Sequence, residues 1–160
     1  MKGLVAFSFG KRKNELDEPC ISNVDLALEV RRILNVLPES PLIAAQWEVA
    51  NVLRKFGIIP HLEIWEHRKE GEYLDSDEVM AQAAEFFRER DVTDVIPVAH
   101  PFLHRKKCID LVKKEGFRYL AGKIRTQIRF DEESDQSWTR SRWGIITYGI
   151  KQKLFGHKGS

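Results

Sequence analysis

LIAAQWEVANVLRKFGIIPHLEIW, residues 42–65, is the stretch that decides the fold. Leu42-Ile43-Ala44-Ala45 is a short apolar run of the kind a strand buried on both faces carries. From Gln46 to Phe56 apolar side chains return at Val49, Val52, Leu53 and Phe56, the spacing of one helical face, and Gly57 stands where a helix places its left-handed terminating residue. His61-Leu62-Glu63-Ile64-Trp65 then alternates as a strand does. Strand, helix and strand in so short a span make a βαβ unit, and hence a parallel pair of strands.

The same alternation extends in both directions. Leu4 to Phe9 reads as a first strand, followed by a charged loop from Gly10 to Ile21 that contains Pro19. Ser22 is placed to N-cap a helix carrying Val24, Ala27, Leu28, Leu34 and Leu37, which Pro38 and Pro41 close. Beyond the central unit, Asp75 and Glu78 have the spacing of a capping box ahead of Val79, Ala83, Phe86 and Phe87, in a helix that ends near Asp91. Asp94 to Ala99 is a fourth strand. Pro97 inside it cannot donate to a ladder, which predicts a bulge or a less central place. Pro101 suits the first turn of a helix that buries Leu103 or Phe102, Cys108, Ile109 and Val112 and stops at Gly116. From Leu120 a fifth strand is predicted. In it Ile124, Ile128 and Phe130 alternate with Lys123, Arg125 and Arg129, the one-sided charge of an edge. Asp131 to Asp135 reads as a loop, and a last helix is predicted from about Ser137 to Leu154, with Trp138, Ile145, Ile146 and Ile150 on it. The expectation is one α/β domain over residues 1–155 with a short frayed tail at 156–160. Its architecture is a three-layer Rossmann-like parallel sheet of about five strands, ordered three-two-one-four-five, with helices on both faces.

Composition agrees with one globular domain. The 160 residues are 42% hydrophobic and 31% charged, with nine Phe and four Trp, which excludes disordered, collagenous and coiled-coil chains. A net charge of +2 gives no reason to expect nucleic acid or an anionic membrane as partner. Charge is uneven, however: residues 1–80 carry 10 basic and 14 acidic side chains, and residues 81–160 carry 16 and 10. Solvated surface explains that imbalance, as would a basic face for a phosphorylated ligand. Two cysteines, Cys20 and Cys108, are too few for a disulfide framework. The apolar run at the start is too short for a signal peptide and no segment approaches membrane-spanning length. A cytoplasmic protein with reduced thiols is expected.

Function follows from topology. In an open parallel sheet, ligands bind beyond the carboxyl ends of the strands, at the point where strand order reverses. That rule selects Ser8 and Gly10 after the first strand and Gln46, Trp47 and Glu48 after the second. After the third comes the Glu66-His67-Arg68 turn, and after the fourth His100 to Arg105. Ser8 and Gly10 should face His100 across a crevice, with Tyr73 and Asp75 in a loop over the same edge. Glu48 and His100 are the candidate catalytic groups. Ser8, Gly10, Gln46, Trp47, His67, Tyr73, His104 and Arg105 are the candidate ligand contacts. His100 and His104 are four apart and share a face if helical, so with Glu48 they form a second reading, a metal-assisted hydrolase. No neighbouring Glu completes the usual zinc-protease pattern, and cap or surface histidines explain the pair as well. Helix-start amides with Arg105-Lys106-Lys107 offer an anion site, or a solvated basic turn. Ala6-Phe7-Ser8-Phe9-Gly10 resembles a nucleophile elbow, but an elbow turns straight into a helix and here about a dozen loop residues intervene. Cys20 in its loop and Cys108 on a buried helix face are poor nucleophiles. Trp47, Trp65 and Trp143 read first as core. A third reading is a non-catalytic interaction module using the basic strand from Lys123 to Arg129.

From Leu4 to Gly156 the order of these segments is similar to that of the YdcF/SanA/ElyC-like family. The resemblance rests on Ser8-Phe9-Gly10, Ala45-Gln46-Trp47-Glu48, Gly71-Glu72-Tyr73-Leu74-Asp75-Ser76 and Val98-Ala99-His100-Pro101-Phe102-Leu103-His104-Arg105. It continues through Trp143-Gly144-Ile145-Ile146-Thr147-Tyr148 and Leu154-Phe155-Gly156. Glu48 matches the family's Glu after the second strand most directly. The resemblance implies a Rossmann-like domain with a small-molecule pocket at the strand ends. The ligand it implies is nucleotide-like, S-adenosylmethionine-like or phosphorylated, and the resemblance leaves open whether the domain is an enzyme.

Overall fold

The structure, a computed structural model, describes residues 1–122 and 127–155. Five parallel strands form one sheet: β1 (Lys2–Ala6), β2 (Leu42–Gln46), β3 (Leu62–Ile64), β4 (Asp94–Val98) and β5 (Arg118–Tyr119), in the order β3-β2-β1-β4-β5. Five helices connect or flank them: α1 (Ile21–Val36), α2 (Trp47–Lys55), α3 (Ser76–Arg88), α4 (His104–Lys114) and α5 (Arg142–Phe155). This is the three-layer α/β Rossmann-like architecture and the strand order read from the sequence. The predicted tail at 156–160 lies outside the described residues.

The sheet has an apolar layer on each face because successive side chains of a strand point to opposite sides. Leu4, Ala6, Ile43, Ala45, Ile96 and Val98 pack under α1 and α2, joined by Ile145 of α5. Val5, Ala44, Ile64 and Val95 pack under α3 and α4. The turn after α2 is the glycine-terminated cap expected. Gly57 adopts φ +75°, its N–H donates to Arg54 O at 2.9 Å, and the N–H of Ile58 reaches back to Leu53 O at 2.9 Å. Asp75 caps α3 by accepting from the Glu78 N–H at 2.9 Å. The Glu78 carboxylate does not return the bond; it accepts from Arg68 and Gln82.

Pro97 sits in a central strand without a bulge, in register with Val5. Thr93 O and Val95 O accept from Arg118 N and Leu120 N, so odd-numbered residues of β4 face β5. Pro97 therefore directs its missing donor to the side where β5 has already ended, and no ladder bond is lost.

β1 ends three residues before the expected Phe9 and β3 is shorter by one residue at each end, and four further features differ from expectation. α4 begins at His104, not Pro101, because the His100 Nδ1 accepts the Phe102 N–H at 3.3 Å and holds residues 101–103 in a turn, with Leu103 at φ +59°. Ser22 does not N-cap α1. Its hydroxyl donates to Arg129 O at 2.7 Å, and the Ile21 N–H is capped from far along the chain by Asp131 Oδ2 at 2.7 Å. The predicted final helix is split into a 3₁₀ turn at Ser137–Thr139 and α5. The predicted strand beyond Leu120 is the largest correction. β5 is only Arg118–Tyr119, residues 123–126 lie outside the described residues, and 127–130 form no strand. Backbone groups there are satisfied by α1 rather than by a ladder: Arg129 N donates to Asp25 Oδ2 at 3.0 Å and Arg129 O accepts from Ser22.

Candidate functional site

Register places the strand ends side by side, with Ala6 beside Ala45 and Val98. Ser8, Gln46 to Glu48, and His100 consequently leave the sheet along a single edge. β2 passes into α2 without a loop, so Glu48 lies in the first turn of that helix. The Gln46 side chain does not cap α2. Its Oε1 accepts the Ser8 N–H at 3.0 Å and ties the ends of β1 and β2 together.

Glu48 is only 6% exposed, and its Oε2 has no hydrogen-bond partner. Burial pushes its carboxyl up to about 7, and the charge of Glu15 adds to that. The opposing pulls are weaker: its own backbone N–H at the positive end of α2, Lys11, and the Ser8 hydroxyl. Glu48 lines a cavity of about 350 Å³. Lys11 and Glu48 lie with Trp47 and Trp65 on one part of its wall, and His67, Glu70 to Leu74 and Glu66 complete it. The rings of Trp47 and Trp65 stack at 5.4 Å with planes 11° apart. Over them runs the loop from β3 to α3. Its His67 Nδ1 accepts the Lys69 N–H at 3.0 Å, while the Nε2 lies 3.4 Å from Glu72 and 3.7 Å from Glu78. The Tyr73 hydroxyl accepts from Gln136 Nε2, which joins this loop to the C-terminal segment.

The switch point between β1 and β4 is arranged differently from the expected crevice. Phe9 fills it, stacked on the His100 ring at 4.0 Å and meeting Phe130 and Trp138 edge-on at 5.8 and 5.6 Å. His100 is 1% exposed, and burial lowers its imidazole to about 4, so it is neutral at ordinary pH. His104 packs near Phe9 as well, and its Nε2 is 2.9 Å from Ser76 Oγ. Both imidazoles keep one nitrogen without a partner. His100 borders a separate, smaller cavity of about 150 Å³ with Phe102, Phe130 and Arg142. Arg105 points elsewhere again, donating to the Tyr119 hydroxyl at 3.2 Å.

Gly10 has a packing reason rather than a ligand reason. Its φ is +81°, and a Cβ there would stand 2.7 Å from Thr139 Oγ1 and 2.8 Å from Ser134 Oγ. The loop that follows is built, not loose. Glu15 accepts from the N–H groups of Arg12 and Cys20 and from Asn23, while Asn23 accepts the Phe9 N–H at 2.9 Å. Cys20, which the sequence places in this loop, is fully buried there, and its thiol is pushed up to about 12.

Of the candidate residues, Trp47, Glu48, His67 and Tyr73 line the larger cavity, with Ser8 and Gln46 bonded beside it. His100, His104, Arg105 and Gly10 do not line it. Lys11, Trp65, Glu66, Glu70 and Glu72 do, and the candidate list missed them. Each lies just after a strand end or in the loop following β3, so position carried their signal; identity did not. Among the described residues no three His, Cys, Asp or Glu side chains are grouped to hold a metal ion. No helix among them is long and apolar enough to cross a membrane. The chain matches no protein-family model, no curated protein and no solved structure.

Proposed function

We propose that the chain is a small-molecule-binding domain whose ligand sits over the carboxyl ends of β1, β2 and β3, with Glu48 as the group that exchanges a proton with it. The observation carrying this reading is a buried carboxyl oxygen left without a partner at the wall of a cavity of about 350 Å³. An unpaired buried polar atom is costly, and a ligand donor removes that cost. The volume lies within the range of small-molecule pockets, and Trp47 and Trp65 supply the aromatic surface that a nucleotide-like or S-adenosylmethionine-like body needs. Four glutamates on the wall weigh against a phosphorylated compound. The YdcF-like resemblance supports the same place, since Glu48 is its most direct match.

A carboxyl that titrates close to neutral pH, beside the Ser8 hydroxyl, is equipped for general acid–base work on a bound molecule. The domain is therefore read as an enzyme of proton-transfer type if its ligand is a substrate. The metal-assisted reading has no ligand set among the described residues. The interaction module loses Arg129, whose guanidinium pairs with Asp25 at 2.7 Å. Buried, unpaired thiols at Cys20 and Cys108 suit a reducing compartment, and a cytoplasmic setting belongs to the proposal.

Indole N–H signals of the four Trp residues, followed by NMR, test the reading with adenosine and S-adenosylmethionine as probes and ribose 5-phosphate as the disfavoured anion. Binding that moves the Trp47 and Trp65 signals, and that Glu48→Gln weakens, supports it. Perturbation confined to other Trp signals, or no response to millimolar probe, overturns it.

A further inference from the structure

Glu48, Glu66, Glu70 and Glu72 all border the larger cavity, against Lys11 as the only Lys or Arg on its wall among the described residues. Glu72 pairs with Lys69 and lies near His67, but Glu66 and Glu70 make no ion pair among the described residues. An acidic wall alone would only be a solvated surface. Glu48 adds a second observation: a side chain on the cavity wall, more than nine-tenths buried, with one carboxyl oxygen unpartnered. In its ionised form the carboxylate only accepts, so the partner that satisfies this oxygen in the charged state is a donor. Beside it, Trp47 and Trp65 present aromatic carbon, which attracts cations as well as apolar bodies.

We infer that the cavity is a site for an organic cation bearing N–H groups, an ammonium or amidinium on an aromatic or aliphatic body. The inference rests on the binding role proposed above and names its ligand class. The charged head donates to Glu48 and sits in the field of Glu66 and Glu70, while the body lies on Trp47. A quaternary ammonium carries the charge but cannot satisfy the oxygen, and an anion meets the glutamates. Charge pairing favours the ionised form of Glu48, so binding near neutral pH expels a proton from it. Lys11 and Glu15 from the loop after β1 act on that carboxyl, the Tyr73 phenol is pushed up in part by its charge, and Glu66, His67, Glu70 and Glu72 from the loop after β3 share the cavity wall with it.

The test is a matched series on one body: benzylamine, benzamidine, benzyltrimethylammonium, benzyl alcohol and phenylphosphonate. Titration calorimetry on the whole chain is expected to give affinities for benzylamine and benzamidine roughly tenfold or more above those of the other three, the worth of a charge-assisted hydrogen bond. In buffers of different ionisation enthalpy at pH 7, both amines release a fraction of a proton. Glu48→Gln loses that release and weakens them about tenfold. Glu66→Gln and Glu70→Gln, in an exposed loop that tolerates substitution, weaken them less and keep the release. Benzyl alcohol or phenylphosphonate binding as tightly as benzylamine, with Trp47 and Trp65 signals moving, leaves the cavity as a ligand site and overturns the cation. No member of the series moving those signals overturns both.

Discussion

Glu48 holds a proton that an ordinary carboxyl gives up. Its folded-state value near 7 lies above the ordinary 4.5, so across that interval the native chain binds more protons than the unfolded one. Stability from this group is full below pH 4.5 and is lost as pH rises through 7. Glu48→Gln removes the slope. Urea unfolding should show the variant above wild type by on the order of 3 kcal/mol at pH 8, with the two converging near pH 4.5. His100 has the opposite sign. Its value is lowered from 6.5 to about 4, so its contribution is present above pH 6.5 and disappears as pH falls through 4. In wild type the two slopes oppose one another, and Glu48→Gln should leave the acid-side loss visible by itself. The thiols make a third case: burial pushes Cys20 up to about 12 and raises Cys108 further. Native protein at pH 8 should take up no iodoacetamide by mass spectrometry, and both cysteines should react in urea. Sequence position alone selected Glu48 and His100, because both follow strand ends. The direction in which each titrates depends on what packs around it, which only the fold supplies.

At the scale of elements, the segment from 127 to 139 has the least local signal and the most structural consequence. Its alternation of apolar and charged residues is that of a strand, yet its backbone bonds side chains of α1 at Arg129 and the Lys11 carbonyl at Asp135, and its own side chains reach back to α1 and the loop after β1. Asp131 accepts from Arg12 at 2.9 Å and from the Ile21 N–H, and Ser134 Oγ accepts from the Lys11 N–H at 3.2 Å. A periodicity of two cannot distinguish a paired strand from an extended strap whose partners are side chains far off in sequence. The same contacts explain why Gly10 tolerates nothing larger. Gly10→Ala combines a positive φ with two contacts below 3.0 Å and should lower stability by roughly 2–4 kcal/mol in thermal or urea unfolding. Leu103 is the reverse case. It holds φ +59° while its side chain is 54% exposed, so glycine removes strain at little cost in burial. Leu103→Gly should raise stability by about 1 kcal/mol, read as an upward shift in Tm. Pro101 pointed to a helix start three residues early because the competing turn is made by the His100 ring, which no spacing rule anticipates.

For the whole molecule, strand order was legible because it follows from alternating strand and helix patterns, and the βαβ unit at 42–65 sets the handed, parallel logic for the rest. Its corollary, an open crevice at the switch point, was not. The rule locates where strand order reverses but says nothing about what side chains put there. Here Phe9, His100, Phe130 and Trp138 close that point, and the larger cavity lies to its β2–β3 side. The plug joins β1, the end of β4 and the C-terminal strap, so it should bear on global stability and on the His100 titration together. Phe9→Ala deletes a fully buried ring and should cost about 3–5 kcal/mol in urea unfolding. In the folded variant, water reaching His100 should return its titration from about 4 toward 6.5, followed by the imidazole NMR shifts. Phe9→Leu keeps most of the volume and should leave that titration low. If Phe9→Ala folded with His100 still titrating near 4, burial by the plug would not be what holds this imidazole neutral, and Phe130 would have to carry that role.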